Sequence, residues 1–161
     1  MDPFLAALRG VVNVSKPLPD LVTAGQPGPS HFEALKAAGA KVILDIRDPM
    51  EPRPFDEPAL IRNLGMEYVN VSVRQGALDD ATMDALLEQV RRADGRPMVV
   101  HCASANRVGG ALIPYFVLDR GMTEDEAIEA AMTIGLRGSD LLEWGLDYAR
   151  RKATTSGPPR P

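Results

Sequence analysis

Short apolar runs alternate with helical patterns along most of this chain, and that alternation restricts the fold more than any other feature of the sequence. Lys41–Ile46 (KVILDI) is brief, β-branched and bounded by turn residues, as a buried strand is. Glu67–Val73 (EYVNVSV) alternates with period two, and Pro97–His101 (PMVVH) is a third strand pattern. Leu21–Ala24 predicts a further short strand, closed by the turn-forming Gly25-Gln26-Pro27-Gly28-Pro29. Helical patterns lie between and after these runs. Ser30 with Glu33 makes a capping box, and Gly39 is its C-terminal stop. Asp48–Pro58 carries Pro49, Pro52, Pro54 and Pro58 and reads as a loop, followed by a short helix over Glu57–Leu64. Asp79–Ala93 sets Met83, Leu86, Leu87 and Val90 on one helical face. A helix runs from the segment Cys102–Arg107 through Leu118 and stops near Gly121. Thr123 and Glu126 cap Glu124–Ile134, and Asp140–Arg151 is amphipathic. This order implies an α/β fold: a single domain with a mainly parallel central sheet of about four to five strands and helices on both faces. Residues 1–152 are expected to form that domain, and the Pro-, Gly- and Ser/Thr-rich stretch 153–161 a disordered tail. Residues 1–20, interrupted by Pro17 and Pro19, give no clear reading.

Composition removes several function classes. A formal charge of −4 disfavours a general nucleic-acid-binding surface, because phosphate affinity normally shows as basic excess. One cysteine excludes an intramolecular disulfide and a thiolate-only zinc site, and two histidines disfavour a His-rich metal centre. No cofactor is expected. Neither a signal peptide nor an apolar run long enough for a bilayer is legible, so a cytoplasmic, reduced location with no membrane partner is expected.

Cys102 ends a strand and immediately precedes a helix. In α/β sheets ligands sit beyond the carboxyl ends of the strands. Helix N-terminal amides, the helix dipole and Arg107, five positions on, each stabilise thiolate over thiol. The same amides and guanidinium can cradle an oxyanion. A cysteine after an apolar strand also fits a small buried hydrophobe. The intervening Ala103, Ser104 and Ala105, and the following Gly109-Gly110, tip the reading toward function, because small residues let backbone approach a ligand.

The segment His101-Cys102-Ala103-Ser104-Ala105-Asn106-Arg107 resembles the signature loop of cysteine-dependent protein tyrosine and dual-specificity phosphatases. It resembles most the bacterial beta-lactamase-hydrolase-like phosphatase family, whose loop has four rather than five residues between Cys and Arg. Ala24-Gly25-Gln26-Pro27, Val42–Arg47, Tyr68–Val73 and Gly121–Ala127 extend the resemblance over about residues 12–150. It implies a protein tyrosine phosphatase-like fold, with Cys102 as nucleophile and Arg107 as phosphate clamp. The amides of Ala103–Arg107 would bind phosphoryl oxygens, His101 would orient the loop, and Val108 closes the binding segment. The implied partner is a phosphorylated protein or a small phosphorylated metabolite.

Three departures stand beside that resemblance. Ala105 replaces a glycine, and at positive φ it would cost about 1–2 kcal/mol, a conformation Asn106 tolerates better. Val108 lacks the hydroxyl that usually follows the arginine and helps the thiolate leave. Arg74-Gln75-Gly76-Ala77 holds no carboxylate where larger phosphatases carry the general acid. Asp79 is the acid candidate, with Asp80 and Asp48 as alternatives, although Asp79 and Asp80 also fit a helix cap and its first turn. Asp45, within a strand, reads as structural. Arg47 reads as a substrate contact or a partner of Asp48, Arg74 and Arg137 have the same two readings, and a solvated charge is the simpler one. Two other functions fit the short loop: a rhodanese-like sulfurtransferase carrying a Cys102 persulfide, and a noncatalytic phosphate-binding module.

Overall fold

The computed structural model describes residues 1–155. Asp2 caps a short first helix, α1 (Pro3–Ala7), by accepting the N–H groups of Phe4 and Leu5. β1 (Ser15–Leu18) and β2 (Leu21–Ala24) form an antiparallel pair. Pro17 is tolerated because β1 is an edge strand. Thus residues 1–20, opaque in sequence, supply both a helix and a strand. α2 (Pro29–Ala38) begins two residues before the Ser30 capping box would place it. Pro29 takes the first helical position, which suits its fixed φ, and His31 Nδ1 accepts the Gly28 N–H at 2.9 Å. β3 (Val42–Asp45), α3 (Glu57–Asn63) and β4 (Glu67–Asn70) follow, the strands shorter than their apolar patterns. α4 (Asp80–Ala93) leads into β5 (Met98–His101) and α5 (Asn106–Pro114). Pro114 has no N–H to give, and the chain continues past it as a single π turn, Tyr115–Asp119, where a helix through Leu118 was expected. α6 (Glu124–Ile134) has the Thr123–Glu126 capping box the sequence predicts. α7 spans Ser139–Thr155, so the expected domain end at residue 152 falls inside a helix. The rest of the expected tail lies outside the described residues.

The sheet order is β1-β2-β5-β3-β4, parallel apart from β1. Alternate residues of the central strands feed two cores. Leu21, Val42, Leu44, Met98 and Val100 face one side with Met83, Leu86 and Leu87 of α4 and Leu112 and Ile113 of α5. Val22, Ile43 and Val99 face the other with Phe32 and Leu35 of α2 and Ile61 of α3. Period-two burial on both faces produces continuous apolar runs rather than clean alternation. Each fully buried leucine or isoleucine here contributes about 1.5–3 kcal/mol of transfer free energy.

Register decides where chemistry can occur. Ala24 and Asp45 both lie opposite His101, the last residue of β5. β5 sits between β2 and β3 although it comes last in sequence. In sheets of this order a ligand site is expected beyond the carboxyl end of β5.

Candidate active site

Cys102 leaves β5 into a loop pinned from three sides. Its N–H reaches Ala24 O at 3.4 Å, Gln26 N–H donates to Ala103 O at 3.1 Å, and Asn13 Nδ2 donates to Ser104 O at 2.8 Å. Gly25 lets these loop segments approach: a Cβ there would stand 2.7 Å from Ala103 O and 2.9 Å from Val12 O. Ala105, fully buried, adopts φ 69° and turns the chain into α5. It carries the left-handed strain itself, about 1–2 kcal/mol. Asn106 does not take that role; it is the first residue of α5. Its Oδ1 accepts the N–H groups of Arg137 at 2.7 Å and Gly138 at 3.1 Å, tying the loop to the α6–α7 connection. Asn106→Ala orphans both donors and is expected to lower stability by about 1–2 kcal/mol, read from the urea midpoint. An unchanged midpoint would show that solvent replaces this link without loss.

The Cys102 side chain lies at the loop's floor, 1% exposed. Ala103 and Ser104 are exposed at its rim. Val108 faces the core and is fully buried. Gly109 and Gly110 serve helix packing rather than ligand approach: a Cβ on either would meet Ala131 O or Leu141 O at 2.8 Å.

Arg107 is held end-on by a residue the sequence reading missed. Its Nη1 donates to Glu51 Oε2 at 2.6 Å, its Nη2 to Glu51 Oε1 at 3.0 Å, and Nη1 also reaches Val73 O at 3.3 Å. The Nε–Nη2 edge meets no carboxylate or carbonyl acceptor among the described residues, and the guanidinium lies within hydrogen-bonding reach of the Cys102 side chain. That edge of the fork can take two oxygens of one oxyanion. Burial opposes the Arg107 charge, but the Glu51 hydrogen bond and the neighbouring Cys102 charge outweigh it and hold its pKa above the ordinary value. Reciprocally, the Arg107 hydrogen bond draws Glu51 down to about 2, against partial burial. Glu51 thus adds stability fully present above pH 4.5 and lost as pH falls toward about 2. Wild type should exceed Glu51→Gln in urea midpoint at neutral pH, with the gap closing across that window. A gap that persists at the acid end would contradict the pairing.

Behind Cys102 a buried polar cluster orients His101. Its Nε2 is 2.6 Å from Glu57 Oε2, and its Nδ1 is 3.4 Å from Cys102 O. Gln26 Nε2 donates to the other Glu57 oxygen at 2.8 Å. Asp45 lies 4.0 Å from His101 Nε2 and accepts from Tyr68 Oη and the Arg47 N–H. Burial, then the Asp45 hydrogen bond, raises the Tyr68 pKa. Asp45, Glu57 and His101 are close enough to surround a cation, yet each carboxylate oxygen already has a protein partner. Arg47 is no solvated charge. It is 6% exposed, donates to Gln26 Oε1 and Pro52 O, and so fastens the Pro-rich loop over this end of the sheet.

The acid candidates have other ties. The Asp79 carboxylate accepts Thr82 N–H at 2.8 Å as the cap of α4, which lowers its pKa, and its carbonyl accepts Trp144 Nε1. Asp80 pairs with Arg151, and Asp48 pairs with Arg74. Arg137 is exposed and turns its Nη1 toward Leu136 O. Trp144 and Tyr148 are core residues.

No family model matches the chain, and no curated protein matches it in sequence. Solved structures do. A Shewanella putrefaciens protein described as a DUF442 phosphatase superposes with TM-score 0.78 at 20% identity, covering 91% of this chain and 97% of its own. TpbA of P. aeruginosa gives TM-score 0.68 at 20% identity over 87% and 84% of the two chains. The catalytic domain of the S. cerevisiae PP-IP phosphatase SIW14 gives 0.69 at 16% identity over 91% and 94%. With its mostly parallel five-stranded sheet and the cysteine loop between β5 and α5, the chain has the protein tyrosine phosphatase-like fold.

Proposed function

We propose that the chain is a cysteine-dependent phosphatase that hydrolyses a phosphomonoester through a phosphocysteine intermediate. The observation that carries this reading is Arg107, held end-on by Glu51 so that a two-donor edge remains beside Cys102 at the start of α5. A phosphoryl group seated there would share its oxygens between that edge and the loop amides of Ala103–Arg107. The Cys102 thiolate attacks phosphorus, the bond to the leaving oxygen breaks, and water then displaces the sulfur to release phosphate. Dividing the displacement in two is what a thiolate nucleophile contributes. His101, fixed between Glu57 and the Cys102 carbonyl, would keep the loop in register for both steps.

The solved neighbours support a phosphorylated substrate: TpbA has been captured with phosphotyrosine, and SIW14 is a PP-IP phosphatase. Substrates of this chain would be a phosphorylated protein or a small phosphorylated metabolite. No described helix is long and apolar enough to cross a membrane.

The test pairs two assays on the purified chain. Para-nitrophenyl phosphate should release phosphate, leave a phosphoprotein on rapid acid quench, and give neither signal with Cys102→Ser. Thiosulfate with cyanide should give no thiocyanate. Phosphate release that survives Cys102→Ser would overturn the phosphocysteine mechanism. Thiocyanate without phosphate would assign the loop to sulfur transfer, and oxyanion binding without either product would make it a noncatalytic module.

A further inference from the structure

The carboxylates on the loops after β3 and β4, at the carboxyl end of the sheet, are all engaged as acceptors. After β3, Asp48 accepts the Met50 N–H and pairs with Arg74, Glu51 holds Arg107, and Asp56 caps α3 through Ala59 N–H. After β4, the 3-10 turn Gln75–Ala77 brings no carboxylate, and Asp79 caps α4. Asp79 is anchored twice, since its carbonyl also binds the Trp144 indole on α7. A general acid must hold a proton and aim it at the leaving oxygen. A carboxylate that accepts a guanidinium or a helix N–H is stabilised as the anion, and the Glu51 and Asp79 pKa values fall accordingly.

We infer that this site acts on phosphoryl groups whose leaving oxygen departs as a stable anion without being protonated, as in a phosphoanhydride or an acyl phosphate. The inference rests on the cysteine-dependent phosphatase reading and shifts its preferred substrate from an ordinary phosphomonoester to a phosphoryl group with such a leaving oxygen. In the first step the S–P bond forms, the P–O bond to the leaving group breaks, and its electron pair stays on that oxygen. No proton moves. In the second step water adds to phosphorus, the S–P bond breaks, the sulfur regains its electron pair, and the water proton passes to phosphate or solvent. Where the leaving oxygen belongs to an alkyl alcohol, the first step lacks the contribution of about 10²–10⁴-fold that a placed acid supplies.

The kinetic test uses the full chain with dinitrophenyl, para-nitrophenyl and phenyl phosphates, which differ little in size and greatly in leaving-group basicity. Because kcat/KM reports events up to leaving-group departure, slow breakdown of the intermediate does not mask the effect. From the dinitrophenyl to the phenyl ester kcat/KM is expected to fall by more than about 10³-fold, the range an absent acid implies. A smaller fall overturns the inference and leaves the phosphatase reading standing. No phosphate from the dinitrophenyl ester would instead sink the phosphatase reading itself. Acetyl phosphate and inorganic tripolyphosphate, assayed in parallel, distinguish the acyl phosphate from the phosphoanhydride. Turnover of a phosphoserine peptide at a kcat/KM equal to the better of these two would also overturn the inference.

Discussion

Arg107→Lys is expected to lower kcat/KM on para-nitrophenyl phosphate by about 10²–10³-fold, the usual effect of removing a donor aimed at transition-state charge. The guanidinium does two jobs with different edges. Its end binds both oxygens of Glu51, and in the proposed mechanism its Nε–Nη2 side would take the phosphoryl oxygens. Lysine keeps the charge but presents one compact ammonium, which cannot span two acceptors on one side and two on the other. Whichever partner it chooses, the other loses its donors. If the ammonium stays with Glu51, the phosphoryl oxygens are deprived and kcat falls. If it turns to the phosphoryl group, the part-buried Glu51 loses its two shortest guanidinium contacts and keeps only the Asp48 N–H and Arg47 at 3.6 Å, and stability falls by about 1–3 kcal/mol. Steady-state kinetics and urea unfolding on the same variant separate these outcomes. A loss below tenfold with unchanged stability would mean that Arg107 is not the clamp.

That division of labour also shows where the sequence is silent. Cys102 and Arg107 are legible because their roles depend on local geometry: a strand end, a helix start, a short spacing. Glu51 and Glu57 are not, because their partners lie 56 and 44 residues away. Glu51 sits in a Pro-rich loop that has no periodicity, and the only local hint is its position four residues after Arg47. Glu57 reads as an ordinary first-turn carboxylate on α3, yet the fold buries it to 3% exposure against His101. Long-range polar closure leaves no spacing signal. The same limit explains Ser30, whose capping pattern was outcompeted by Pro29, and the N-terminal strand β1, whose proline is compatible only with an edge that no local pattern reveals. The central strands were legible because both faces are buried, and a two-sided apolar run has few alternative structures.

The glycines of α5 and α7 give the second large expectation: Gly145→Ala should destabilise the chain by about 2 kcal/mol or more, although helix propensity alone argues the reverse. In an exposed helix interior glycine is about 1 kcal/mol worse than alanine, so the substitution would ordinarily stabilise. Here a Cβ at Gly145 would collide with the carbonyl oxygen of Gly110 and stand 3.1 Å from Ile113 Cβ. Gly110 faces the same seam, where its own Cβ would lie 2.9 Å from Leu141 Cβ. Because the colliding atom is backbone on a neighbouring helix, no side-chain rotation relieves it, and α5 and α7 must separate. Overpacking of this kind costs about 1–3 kcal/mol or more, which exceeds the propensity gain. The separation also reaches the site, because the helix displaced is the one whose first turn carries Arg107. The urea midpoint of Gly145→Ala should therefore drop, and kcat/KM should fall in the fraction that stays folded. A variant more stable than wild type would show that propensity wins and that the two helices are not in backbone contact along this seam.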